Sequence, residues 1–355
     1  MASRHSKLKI GIVGAGTVVK TRHLPALRKI PDVEVVAICN SSYESSEECC
    51  TEYVPEATPY GNWAELVAHP DIDIVWIGTP PYLHSTIAIS ALEAGKHVFT
   101  QARMAMNLSE AEEMFAAAQR HPHLVTMVCP PPHGLRGSLF MQKLLAEDFL
   151  GLPHHLRLQS LSGAYTNPDA PPHWRQRDEL SGLNVLTLGI YAEVVQRWFG
   201  PITHVFAHQK TINPVRYGYE IRIPDMVLVL CKFENRMEGV MEFSGVALFE
   251  ASDRLQVFGN QGMLSYDFSS DRIIGGRLGE KEPSEIEIPP EIEQRWRVEE
   301  DFIAAVRSPA SIQPQPSFAL GVQYMRVVQA VADSVAQRRE VQIARVGEAS
   351  RFASS

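Results

Sequence analysis

Hydrophobic and polar positions along the chain change their period near residue 128. Before that point, short apolar runs alternate with stretches of helical spacing. The runs are Lys9–Val13, Val33–Cys39, Ile72–Ile77, His97–Thr100 and Val125–Val128, and they are rich in β-branched residues. Between them lie Ser85–Ala94 and Ser109–Gln119, with apolar positions three and four apart. Such alternation predicts buried parallel strands with helices on both faces of one sheet. Gly95 is placed to end a helix, and Ser109 with Glu112 reads as the capping box that starts the next.

After Pro130-Pro131-Pro132 the pattern is different. A helix is predicted over Ser138–Glu147, then strands at His155–Ser162, Ile202–Ile212, Met226–Glu234, Arg236–Val246, Leu255–Gly259, Leu264–Asp267 and Glu285–Ile288. Gly, Asn and Asp in the connections suit hairpins, hence a mainly antiparallel sheet. Helices over Glu291–Ser308 and Ser317–Arg338 close the chain. In the second, Val322, Met325, Val328, Val331 and Val335 form an apolar stripe that reads as core. At 355 residues the chain exceeds one ordinary core, and the change of pattern predicts domains at 1–128 and 129–355.

A composition of 45% hydrophobic and 21% charged residues is that of a globular protein. A net charge of −8 argues against a nucleic-acid partner, which demands a basic surface. No apolar run approaches the ~20 residues of a membrane span, and no apolar leader precedes the first strand. A cytoplasmic protein without a membrane partner is expected. Cys39, Cys49, Cys50, Cys129 and Cys231 show no C-x-x-C spacing, and neither His121-Pro-His123 nor His154-His155 can close on one metal. Reduced structural thiols and no bound metal follow.

The first strand breaks into Gly14-Ala15-Gly16, with a helical stretch from Thr17 to Ile30 and then the second strand. In that context a glycine pair reads as a dinucleotide site. Gly14 permits the tight turn, Gly16 admits pyrophosphate to the backbone, and Thr17 and Val18 open the helix whose N–H groups face it. Val19 occupies the usual third small position. Asn40 stands where a carboxylate usually holds the adenine ribose, followed by Ser41 and Ser42. Asn does not repel a 2′-phosphate, and no arginine follows directly to clamp one, so NAD and NADP both stay open. A nucleotide-free glycine turn is the alternative.

Several further segments carry a resemblance: His23-Leu-Pro-Ala-Leu27, Thr79-Pro-Pro-Tyr-Leu-His84, Ala91-Leu-Glu-Ala-Gly-Lys-His-Val98, Trp174-Arg175 and Ser181 through Tyr191. With the glycine turn, in this order, the chain resembles the Gfo/Idh/MocA oxidoreductases over nearly its whole length. The resemblance implies an N-terminal Rossmann domain, doubly wound, and a C-terminal α/β domain with a large open, mainly antiparallel sheet. It implies NAD(P)-dependent chemistry on a sugar or polyol, and a homo-oligomer, dimer or tetramer, joined through that sheet. Thr79, Pro80, His84, Gln101, Trp174 and Arg175 fall where it places cofactor contacts. His133, Asn184 and Thr187 fall where it places substrate contacts.

The catalytic segment departs from the family. Glu-Lys-Pro is replaced by Gln101-Ala102-Arg103, and the usual aspartate and histidine of the second motif are Thr187 and Tyr191. Tyr191 remains as acid/base for the hydroxyl proton, provided that a cation lowers its pKa. Arg103 is the expected electrostatic support or a clamp for a substrate carboxylate, with a solvated or structural arginine pointing away from the pocket as the alternative. His84, Trp174, Arg175, Asn184 and Thr187 each have a purely structural alternative. Three functions compete: a sugar or polyol dehydrogenase, a redox-neutral NAD-dependent glycosidase or lyase, and a non-catalytic cofactor-binding sensor.

Overall fold

The first strand, β1 (Leu8–Val13), is half-buried at Leu8 and Lys9 and buried on both faces from Ile10 to Val13, where its apolar residues lie. The computed structural model describes residues 7–130 and 135–344. They divide into two compact units, Met1–Pro130 with Arg297–Val322 and Pro131–Trp296 with Gln323–Ser355.

In the first unit, β1 leads through a π-type turn (Val19–His23) and α1 (Leu24–Leu27) to β2 (Val33–Cys39). Then come α2 (Tyr43–Tyr53), β3 (Thr58–Tyr60), α3 (Trp63–Ala68), β4 (Ile74–Ile77), α4 (His84–Glu93), β5 (His97–Thr100), α5 (Leu108–Arg120) and β6 (Thr126–Val128). The six strands pair in parallel in the order β3-β2-β1-β4-β5-β6. β4 is buried at every position, the mark of a central parallel strand. The start of α5 lies earlier than predicted. Asn107, extended at φ −153°, accepts from the Glu110 N–H at 3.0 Å, so Asn107 rather than Ser109 is the cap.

The second unit contains α6 (Ser138–Ala146), β7 (Pro153–Leu161), α7 (Asp178–Ser181), α8 (Leu188–Phe199), β8 (Ile202–Lys210), β9 (Val215–Arg216) and β10 (Tyr219–Glu220). β11 (Met226–Phe233), β12 (Glu238–Ser244), β13 (Ser252–Gly259), β14 (Gly262–Asp267), β15 (Arg272–Arg277) and β16 (Ser284–Ile286) follow. Its nine-stranded sheet runs β16-β15-β14-β13-β7-β12-β11-β8-β17, where β17 is Val341–Gln342. Every pairing is antiparallel except β7 with β12. Burial alternates strictly along β11, so one face is packed and the other bare.

The helix expected from Glu291 begins only at Val298, as α9 (Val298–Arg307), and lies in the first unit. Phe302 of α9 meets Trp76 and Phe99 edge-on, each with ring centroids 5.7 Å apart, while those two stack at 3.7 Å. α10 (Phe318–Gln337) buries Val322, Met325, Val328 and Val331 as its stripe predicts.

Candidate active site

Gly14 and Gly16 do different work in the turn after β1. Gly14 has φ +87°, and a Cβ there would lie 2.6 Å from the backbone nitrogen of Thr79. Only glycine allows the turn and the end of β4 to approach so closely. A Cβ on Gly16 would meet nothing within 4 Å, so its backbone is open to a ligand. The large Val19 fits because the position facing it is also glycine. A Cβ on Gly78 would come within 2.6 Å of Val19 Cγ2.

These residues line a groove of about 510 Å³ at the carboxyl edge of the parallel sheet, together with Asn40, Ser41, Thr79 and Pro80. Its size is that of a small-molecule site, and its position is where ligands gather in such folds. Thr17 is exposed immediately after Gly16, and Val18 is half-buried. Ser45, Trp63 and Tyr82 complete the wall, and sequence reading missed them. Tyr82 lay within the quoted Thr79–His84 motif; Trp63 had no signal. The open backbone at Gly16 and the row of small residues fit a dinucleotide's diphosphate.

Asn40 acts first on the protein. Its Oδ1 accepts from the Ala15 N–H at 2.8 Å, and its Nδ2 donates to the Ser45 carbonyl at 2.9 Å. The amide therefore braces the glycine turn, leaving one lone pair and one proton for a ribose. Ser41 is exposed on the same rim.

His84 is fully buried and binds loops rather than facing the groove. Its Nε2 lies 2.7 Å from the Thr79 carbonyl, and Nδ1 lies 3.0 and 3.2 Å from those of Arg103 and Met104. Burial pushes its pKa down, against the pull of these carbonyls. Arg103 is itself only 1% exposed. Gln101 directly follows β5 and is half-buried. Its amide nitrogen contacts Nε2 of His23, whose Nδ1 contacts the Glu299 carboxylate; both contacts are very short. His23 and Glu299 are fully buried and were not singled out by the sequence as site residues.

In the second unit, Trp174–Gln176 form a 3-10 turn, and the Arg175 guanidinium lies 4.2 Å over the Trp174 ring. Gln176 Oε1 accepts from the His173 N–H and from Nη1 of buried Arg216, at 3.1 and 3.0 Å. Asn184 is buried and donates to the Ser181 carbonyl at 2.7 Å, so it supports its own loop. Thr187 donates its hydroxyl to Ser160 Oγ at 2.8 Å. Tyr191, only 3% exposed, has Asp253 and Ser160 at its hydroxyl. Burial and the Asp253 carboxylate push the phenol above its usual value. His133 lies outside the described residues.

Among the described residues no three His, Cys, Asp or Glu side chains converge on a possible metal position. Nor is any helix among them long and apolar enough to cross a membrane. Residues 8–128 match the family profile described as an oxidoreductase family with an NAD-binding Rossmann fold, and residues 139–265 match the GFO/IDH/MocA C-terminal domain. The chain is 28% identical to trans-1,2-dihydrobenzene-1,2-diol dehydrogenase of Sus scrofa over 268 residues, 72% of this chain and 73% of that one. It is 24% identical to myo-inositol 2-dehydrogenase of Thermotoga maritima over 262 residues, 73% of this chain and 75% of that one. The solved structure of levoglucosan dehydrogenase with NADH and levoglucosan shares the fold, with a TM-score of 0.83 at 20% identity, covering 96% of this chain and 100% of that one.

Proposed function

The chain belongs to the GFO/IDH/MocA family of NAD-binding oxidoreductases, and on that footing we propose that it moves hydride between NAD(P) and a secondary hydroxyl or ketone of a sugar, sugar acid, glycoside or polyol. The observation that carries the reading is the open Gly16 backbone in a groove at the sheet's carboxyl edge. The relatives named above act, by their names, on a cyclic diol, an inositol and levoglucosan.

Gly14, Gly16, Thr17 and Val18 hold the diphosphate, and Asn40 and Ser41 meet the adenine ribose. When bound, the nicotinamide supplies the hydride acceptor or donor. Thr79, Pro80 and His84 keep the loop after β4 in shape, and Gln101 closes the rim. Trp174 and Arg175 serve the cofactor; His133, Asn184 and Thr187 serve the substrate.

With alanine at 102 in place of the family lysine, Tyr191 takes over the handling of the proton. Tyr191 is protonated at neutral pH and hydrogen-bonds the reacting oxygen. When an alcohol is oxidised, its hydroxyl proton passes to Tyr191 as the phenol's own proton passes to the Asp253 carboxylate. Reduction reverses both transfers. Arg103 adds positive charge that stabilises a developing alkoxide or a substrate carboxylate. A homo-oligomer through the bare face of the nine-stranded sheet completes the proposal.

The test is absorbance at the reduced-nicotinamide band with NAD or NADP and a panel including myo-inositol and levoglucosan. Net cofactor reduction is expected, falling roughly a hundredfold or more in Tyr191→Phe. Product formation without net reduction points to the redox-neutral reaction instead. Cofactor binding with no turnover on any member points to a sensor.

A further inference from the structure

Three residues remote in sequence form a buried polar line that ends at the rim of the parallel sheet. Glu299 lies one helical turn before Phe302 on α9, so the aromatic packing of Phe302 sets where its carboxylate falls. The carboxylate contacts Nδ1 of His23, and neither side chain has any solvent exposure. His23 is walled by Trp76 and Phe99, with ring centroids 4.9 and 5.4 Å away. On the far side of the ring, Nε2 contacts the amide nitrogen of Gln101.

The donor order along this line follows from chemistry. A carboxylate only accepts, so Nδ1 carries the proton. The amide nitrogen of Gln101 faces Nε2, so the amide N–H donates to that ring nitrogen. The Gln101 amide oxygen consequently turns away from His23.

Sheet order says what that oxygen meets. With adenosine held at the end of β2 and diphosphate at the turn after β1, the remaining half of a dinucleotide would extend toward β4 and β5, the next strands in the sheet. Gln101 follows β5, and its own N–H donates to the Ile77 carbonyl of β4 at 3.0 Å. We propose that Glu299 and His23 are positioning residues that hold the Gln101 amide oxygen outward, as an acceptor for an N–H or O–H donor on the nicotinamide half of the cofactor. The proposal rests on the NAD(P) reading above, but not on turnover of any substrate.

The test is a double-mutant cycle read by NADH fluorescence titration of the full chain, with melting temperatures as a folding control. His23→Phe and Gln101→Ala each weaken NADH binding roughly three- to tenfold, as loss of one hydrogen bond does. The double variant binds no more weakly than Gln101→Ala alone, because His23 acts only through the amide. Nitrogen-15 spectra of the wild-type chain, assigned by comparison with His23→Phe, show the Nδ1–H tautomer. Additive losses, unchanged binding in Gln101→Ala, or an Nε2–H tautomer in the wild type would each overturn the proposal; the tautomer reading stands even if His23→Phe folds poorly. A wild-type chain that binds no NADH overturns the cofactor reading itself, and the proposal with it.

Discussion

Asn40 accepts the Ala15 N–H at 2.8 Å and so ties the end of β2 to the glycine turn after β1. The residue expected to meet ribose is thus also the brace of the glycine turn. Asn40→Asp keeps that acceptor, loses the bond to the Ser45 carbonyl, and brings a charge that repels a 2′-phosphate. Parallel titrations with NADH and NADPH are expected to show the ratio shift toward NADH by about tenfold, the effect of ~1.4 kcal/mol. An unchanged ratio means that the β2 end does not meet the adenine ribose.

Gly14 and Gly16 predict opposite phenotypes. Gly14→Ala places a methyl 2.6 Å from the Thr79 backbone at φ +87°, and is expected to cost roughly 1–3 kcal/mol of stability. Gly16→Val projects into open space, leaves the melting temperature near wild type, and blocks the diphosphate. Paired melting and NADH titrations separate the two. Equal destabilisation by both would contradict the open groove.

Tyr191 carries a pH signature. Burial and Asp253 hold its phenol protonated beyond the ordinary value of about 10. Above that pH the unfolded chain releases the proton first, so this group's stabilisation is complete below about pH 10 and declines as pH rises further. Urea midpoints should therefore fall more steeply from about pH 10 to 11 in the wild type than in Tyr191→Phe. Parallel profiles would mean that the folded phenol is not perturbed.

On the bare face of the nine-stranded sheet, Leu230 is 57% exposed and pairs across β8 with Phe206, 43% exposed. Charged edges and faces oppose association. Leu230→Glu is therefore expected to shift sedimentation toward smaller species without lowering the melting temperature. An unchanged sedimentation profile would remove this face as the contact.

The glycine turn, the central strands and the α10 stripe were legible because each is a local pattern with its own period. β3 was not, since its three residues include Pro59 and its pairing with β2 is set by the neighbouring strand. The parallel β7–β12 pair was hidden by hairpin signals on either side. It joins segments such as Leu158 and Met241, far apart in sequence. The site divided in the same way. Residues inside contiguous motifs, Gly14, Gly16, Thr79 and Pro80, come together in the groove. Partners that burial brings from a distance left no local mark: Glu299 lies 276 positions from His23, and Asp253 is on a different element from Tyr191. Asp253 reaches Tyr191 of α8 from β13, and no local pattern around either residue announces that pairing.

The most direct measurement of the central claim follows the hydride itself. Purified protein is incubated with NAD or NADP and a panel of sugars and polyols deuterated at carbon, and the reduced nucleotide is analysed by mass spectrometry. The account predicts that one deuterium, transferred as deuteride from a substrate C–D bond, is carried by the recovered reduced cofactor. A protein that binds the nucleotide yet returns no deuterium-labelled cofactor with any member of the panel would contradict it.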